Sequence, residues 1–266
     1  MQRPDWERFR QAAGGGPAAA IGRHVYGYRS VASTMDVAWE LAEAGAAHGT
    51  AVVAGTQTAG RGRFARAWVS GDGESLLASV VLRPAAAIAP LLTIIGCLAV
   101  LDAVRELCGL ACAVKWPNDV HVGGRKLAGV LAEGRTYANG TTGTSGVGVA
   151  VLGIGLNVSL DPAQHPELAG TATSLLAETG QAVGLRLAGD ALFRSLDAAY
   201  GSAEPSALIA RWREALDTLG QRVTVRGRDA TLSGLAEDVD AAGRLLLRTD
   251  DGTLHALSEG DVTLAG

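Results

Sequence analysis

Residues 56–68 read Thr-Gln-Thr-Ala-Gly-Arg-Gly-Arg-Phe-Ala-Arg-Ala-Trp, so Arg61, Arg63 and Arg66 alternate with small residues and Trp68 closes the run. Planar guanidinium groups suit carboxylate or phosphate oxygens. Gly60 and Gly62 let the backbone approach a ligand without a Cβ in the way, and the indole offers a flat face to a heteroaromatic ring. Taken alone, the run reads equally well as a solvated basic loop. A second stretch, Lys115-Trp116-Pro117-Asn118-Asp119, sets an amide and a carboxylate on a corner stiffened by proline. The amide suits a purine edge and the carboxylate a metal or a ribose, although Asn-Asp is also ordinary turn chemistry. Of 23 basic residues only Lys115 and Lys126 are lysines, in the same part of the chain. Chance accounts for that, or a position that needs a compact ammonium which arginine cannot imitate.

The elements around these residues follow from periodicity. His24 to Val31 alternates as a strand, and Ser33-Thr34-Met35-Asp36 opens a helix to about Ala44. Ser33 with Asp36 three positions later is a capping-box pattern; the same helix start presents amides to a polar ligand head. Gly49 to Thr56 predicts a strand delivering the arginine run. A strand over Leu76–Arg83, a helix over Pro90–Leu107 and a buried strand over Ala111–Trp116 follow. Val120 to Glu133, turning at Gly123-Gly124, reads as a hairpin, and Gly134–Gly146 as a flexible connection. Val147–Val158 is an apolar strand in which Gly153 and Gly155 leave room for something flat, and Asn157 at its end needs bonding partners. Helices around Ser174–Thr179, Leu187–Tyr200 and Ser206–Leu216 precede four strands from Arg222 to Leu257, which suggest a small barrel.

The totals exclude several classes. With 48% hydrophobic and 19% charged residues the chain is a folded globular protein. Its net charge of −4 offers no general attraction to nucleic acid or anionic membrane, so basic features must be local. The apolar run from Ala85 to Leu101 is broken by Pro90, Thr93 and Gly96 and is too short to span a bilayer. Cys97, Cys108 and Cys112 lack metal-type spacing and read as buried thiols of a reducing, cytoplasmic compartment. The charged first twenty residues do not resemble a secretory signal. There is no glycine-lysine-serine/threonine phosphate loop, no complete G-x-G-x-x-G, and no histidine-paired nucleophile motif.

Four blocks together resemble the signature of the biotin–protein ligases, in that family's order: 56–68, 115–119, 125–133 (Arg-Lys-Leu-Ala-Gly-Val-Leu-Ala-Glu) and 153–158 (Gly-Ile-Gly-Leu-Asn-Val). Residues 220–247 are similar to its C-terminal barrel, and the resemblance runs from about Tyr28 to Val262. It implies an α/β catalytic domain of the class II aminoacyl-tRNA synthetase type, a mixed sheet flanked by helices, plus a small SH3-like barrel. The expected division is a lead over 1–22, a catalytic domain over 23–217 and the barrel over 218–266. The implied substrates are biotin and ATP with Mg²⁺, and the implied protein partner is the biotin carboxyl carrier domain of a biotin-dependent carboxylase. Homodimer formation is left open, and the lead is too short for the DNA-binding domain of longer members.

Carried over by position, Ser33, Thr34, Met35, Gln57, Gly60, Arg61, Gly62, Arg63, Lys126 and Gly129 would bind biotin. Arg63, Arg66, Trp68, Asn118, Asp119, Lys126 and Asn157 would serve ATP, with Asp119 on the Mg²⁺ side. Lys126, Arg63 and Arg66 would be catalytic, and Lys126 would touch the biotin carboxylate and the reacting phosphate together. Met35 departs from the asparagine usual after Ser-Thr, which puts one polar contact to biotin in question. Two other readings remain: a lipoate–protein ligase, and a non-catalytic regulator that binds biotinyl-adenylate.

Overall fold

The computed structural model describes residues 20–136, 147–228 and 230–264. Residues 1–19 of the expected lead, and residues 137–146 of the expected flexible connection, lie outside that range.

A seven-stranded sheet organises the first two-thirds of the chain. Its strands are β1 (Val25–Val31), β2 (Ala51–Gln57), β3 (Ser75–Leu82), β4 (Ala113–Lys115), β5 (Asp119–Val122), β6 (Arg125–Thr136) and β7 (Val147–Asn157), in the order β1-β2-β3-β7-β6-β5-β4. Only β1 and β2 run parallel; the other neighbours are antiparallel. Helix α1 (Thr34–Glu43) packs on one face through Met35, Ala38, Trp39 and Ala42. Helices α2 (Leu92–Cys108) and α4 (Leu185–Gly201) cover the other, where the larger apolar core lies. Every residue of β3 is buried, because helices cover both faces of the sheet there.

Several expectations need correction. Helix α2 starts at Leu92, two residues late, because Pro90 sits in a preceding 3₁₀ turn over Ala89–Leu91. The segment around β4 is the sheet's edge rather than a strand buried within it. Gly134, Arg135 and Thr136, expected in the flexible connection, continue β6. Ser33 does cap α1, accepting from the Met35 amide at 3.3 Å, but Asp36 does not complete a capping box. Its carboxylate turns to Arg61 at 2.6 Å.

Two short helices, α3 (Leu175–Thr179) and α5 (Pro205–Ala215), complete the helical part. The chain ends in a five-stranded antiparallel sheet of β8 (Arg222–Arg226), β9 (Thr231–Val239), β10 (Leu245–Thr249), β11 (Leu254–Leu257) and β12 (Asp261–Leu264), ordered β11-β10-β9-β8-β12. Strand β12 was not foreseen. It pairs with β8 and brings Gly260 and Asp261 against Arg63 and Arg66. Val223, Val225, Ala236, Leu245 and Leu247 of this unit join the same apolar core as α2 and Trp212 of α5.

Candidate active site

The antiparallel register of β3, β7 and β6 lays out a floor in rows. Leu77, Gly155 and Gly129 stand side by side, Ser79, Gly153 and Leu131 form the next row, and Val81, Val151 and Glu133 the one after. Residues opposite one another share a face, here the face covered by α1. Three glycines therefore leave the floor low, but the space above them is filled from within the protein. A Cβ at Gly155 would lie 2.5 Å from the Trp68 indole and one at Gly129 2.9 Å from it. A Cβ at Gly153 would lie 2.8 Å from the Met35 sulfur. The flat object expected over this strand is thus Trp68 itself, and Met35 occupies the place beside it.

Above the floor is a cavity of about 150 Å³, lined by Ser33, Thr34, Met35, Gln57, Arg61, Gly62, Arg63, Arg66, Trp68, Asn118, Asp119, Lys126 and Gly129 among the expected residues. Two expected residues stand off it. Gly60 lies behind the cavity, where a Cβ would strike the Gln57 amide at 2.7 Å. Asn157 is buried with its amide spent inside the protein: it accepts from Ser75 Oγ at 3.1 Å and donates to the Thr173 carbonyl at 2.9 Å. Its place is a joint between β7, β3 and the segment that supports Lys126.

One end of the cavity is polar. Gln57 Oε1 accepts from the Thr34 amide at 2.7 Å and its hydroxyl at 3.0 Å, and Thr34 Oγ1 also meets Ser79 Oγ at 2.8 Å. These buried and half-buried groups fix one another, so the end of β2 and the start of α1 present a rigid donor and acceptor set.

The cations come from two directions. The arginine run closes as a small antiparallel ribbon, bridging Arg61 to Ala67, with the Gly62 amide donating to the Arg66 carbonyl at 2.7 Å. Its tip, Phe64, adopts left-handed backbone at φ 53°, uncommon outside glycine and asparagine. Arg61 donates to Glu133 at 3.0 Å and to Asp36 at 2.6 Å. The Glu133 hydrogen bond, helped by Asp36, raises the Arg61 pKa against the opposing effect of burial. Burial raises the Glu133 carboxyl, yet hydrogen bonds from Arg61 and Trp39 outweigh it and hold that carboxyl below its usual range. Arg63 donates to Asn118 Oδ1 at 3.3 Å and to the Gly260 carbonyl at 3.2 Å, and burial lowers its pKa despite nearby Glu259, Asp261 and Asp119. Arg66 pairs with Asp261.

Lys126 arrives through a β-bulge. The β5–β6 register slips by one residue between Val120 and His121, so Leu127 and Ala128 both enter the core and Lys126 turns into the cavity. Its backbone is clamped on both sides, its amide donating to the Thr171 carbonyl at 2.8 Å and its carbonyl accepting from the Thr173 amide at 2.9 Å. The ammonium lies 2.7 Å from Asp119 Oδ1 and 5.4 Å from the Trp68 ring centre. Asn118 is fixed to β6, donating to the Val130 carbonyl at 2.8 Å while its own carbonyl accepts from the Val130 amide at 3.0 Å.

Sequence reasoning missed Asp261, which lines the cavity from β12, and Asp36 and Glu133 as partners of Arg61. Glu133 sits within a noted block, two residues from Leu131 on the same strand face, so alternation marks it. Asp261 has no local signal, since only the folding back of the C-terminal sheet brings it here.

Comparison with known proteins identifies relatives of the whole chain. The sequence profile of the biotin/lipoate A/B protein ligase family matches residues 26–150, and that of the biotin protein ligase C-terminal domain matches 218–264. The bifunctional ligase/repressor BirA of Bacillus subtilis is 33% identical over 92% of this chain and 75% of its own length. A biotin--[acetyl-CoA-carboxylase] ligase of Mycobacterium tuberculosis is 37% identical over 80% of this chain and 78% of its own. The Aquifex aeolicus biotin protein ligase in complex with biotin and ATP has the same fold, with TM-score 0.75, 24% identity and coverage of 91% of this chain and 100% of that one. The Leishmania major biotin protein ligase in complex with biotinyl-5-AMP superposes with TM-score 0.60 at 27% identity, covering 89% and 99%. With both of its units matched and relatives above 30% identity covered over most of their length, the chain belongs to the biotin protein ligase family.

Proposed function

We propose that this chain activates biotin with ATP and passes the biotinyl group to a lysine of a biotin carboxyl carrier domain. The observation that carries this reading is one cavity joining a rigid polar end at Thr34 and Gln57, a glycine floor under Trp68, and four cations: Arg61, Arg63, Arg66 and Lys126. In the first step a carboxylate oxygen of biotin bonds to the α-phosphorus, the bond to the β-phosphate breaks, and pyrophosphate leaves. Two anions must approach, and prearranged cations lower that barrier most effectively. In the second step the lysine amine attacks the acyl carbon, the bond to AMP breaks, and the amine gives up a proton.

Ser33, Thr34 and Gln57 take the ring end of biotin, with Met35 and Gly129 as walls and Arg61 and Gly62 as the cover. The Gly60 turn holds Gln57 in place. Lys126 reaches both the biotin carboxylate and the α-phosphate, and Arg63 and Arg66 meet the other phosphate oxygens. Trp68 stacks on the adenine and Asn118 reads its edge; Asn157 acts through the joint it makes beneath them. Among the described residues no three His, Cys, Asp or Glu side chains gather as metal ligands. Asp119, which lines the cavity, is the carboxylate that would face Mg²⁺, and the ion would neutralise phosphate charge. We place the division between the catalytic unit and the C-terminal sheet at residues 217 and 218. Among the described residues no helix is long and apolar enough to cross a membrane. Cys97, Cys108 and Cys112 are free thiols, as suits a reducing cytoplasm.

The test is ATP–pyrophosphate exchange with biotin or lipoate, followed by mass analysis of an added biotin carrier domain. Biotin-dependent exchange and a mass gain of one biotinyl group are expected. Exchange with lipoate alone, or tight biotinyl-adenylate binding with no exchange, would replace this reading.

A further inference from the structure

Every cation at the cavity is already answered within the protein. Arg61 has Asp36 at 2.6 Å and Glu133 at 3.0 Å, Lys126 has Asp119 at 2.7 Å, and Arg63 has the Asn118 and Gly260 oxygens at 3.3 and 3.2 Å. Arg66 has Asp261. This last pair is an ion pair across the two units, where the Arg63–Gly260 hydrogen bond also crosses. Asp36, Glu133 and Asp119 belong to α1, β6 and β5, within the unit that holds the cations, whereas Asp261 lies 195 residues from Arg66 on β12. The Arg66 side chain is 68% exposed, the Asp261 side chain only 29%, and the carboxylate faces the cavity.

An ion pair with one partner this exposed contributes little and is readily exchanged. A polyphosphate offers more charge and more acceptor oxygens than one carboxylate, so it wins the guanidinium. We propose that Asp261 is a built-in competitor of the nucleotide: it occupies Arg66 until phosphates replace it, and thereby makes ATP binding weaker than the pocket alone would give. The C-terminal sheet thus sets the affinity for ATP, while the polar end at Thr34 and Gln57, which it does not touch, sets that for biotin. This inference rests on the reading of the cavity as an ATP site.

The experiment measures ATP binding by calorimetry without biotin, and KM for ATP and for biotin by pyrophosphate exchange. It uses wild type, Asp261→Asn and Asp261→Ala, each also combined with Arg66→Ala. Removing the charge should tighten ATP binding roughly two- to fivefold, the range expected for loss of one exposed pair. KM for biotin should hold, and the gain should vanish where Arg66 is alanine. Weaker ATP binding in both Asp261 variants would make Asp261 a brace for the loop and overturn the proposal. So would an unchanged affinity, or a gain that persists without Arg66. A wild type that binds ATP but shows no biotin-dependent exchange would sink the ligase reading alone, and the calorimetric series would still decide this one. A wild type that binds no ATP sinks both.

Discussion

Lys126 combines a backbone clamped on both sides with an ammonium paired to Asp119 at 2.7 Å, and the bulge turns it into the cavity. Lys126→Arg keeps the charge but replaces a point-like donor with a planar fork. It should retain the fold and lose about 10²–10³-fold in biotin-dependent pyrophosphate exchange, the usual effect of removing one preorganised donor to a developing charge. Near-normal exchange would remove Lys126 from the chemistry. Gly155 makes a second residue-scale prediction. A methyl there would meet the indole at 2.5 Å, and overpacking of this kind costs about 1–3 kcal/mol. Gly155→Ala should raise KM for ATP about tenfold and lower the melting temperature by several degrees, and an unchanged KM would separate Trp68 from the nucleotide. At this scale much of the site was legible, because arginine interleaved with glycine and a scarce lysine are chemical signals in the sequence itself. Partnership was not. Nothing local says that Asp36 prefers Arg61 over its own helix amides, since that choice depends on a loop 25 residues away.

Hairpin β5–β6 shows what periodicity can and cannot carry. Gly123 and Gly124, with φ of 55° and 77°, marked the turn from sequence. The bulge behind it was invisible, because Leu127-Ala128 reads equally well as in-register strand. The same hairpin buries His121, whose pKa burial lowers to about 4, with Lys115 and Lys126 adding to the effect and Asp119 opposing it. The folded protein resists protonating this ring more than the unfolded chain does, so His121 has no effect on stability above pH 6.5. Stability is lost as the pH falls from 6.5 toward 4. Denaturation midpoints across that window should fall for wild type, and His121→Gln should flatten the fall by on the order of 2–3 kcal/mol. Equal slopes in both proteins would refute the assignment. Helix and strand identities were recovered because apolar spacing is strong in each; β12 was missed because four residues after a glycine carry too little pattern.

Across the whole molecule one apolar core runs from the large sheet through α2 and Trp212 into the C-terminal strands. Polar ties reinforce it: the Trp116 amide donates to Thr218 Oγ1 at 3.0 Å, and its indole donates to the Gly243 carbonyl at 3.2 Å. The two units should therefore unfold together, giving one calorimetric transition; two resolved transitions would show that the shared core does not couple them. Thr218→Val strands a buried amide and should cost about 1–3 kcal/mol in chemical denaturation. The order of the units was readable along the chain, but their packing was not, since it depends on contacts between segments more than a hundred residues apart. Four cations beside Asp36, Asp119, Glu133 and Asp261 leave almost no net charge at the mouth, on a protein of net charge −4. Such a surface casts no long-range field toward an approaching nucleotide. Stopped-flow capture of ATP should then proceed at a rate nearly indifferent to salt, with ionic strength acting instead on how long the nucleotide stays.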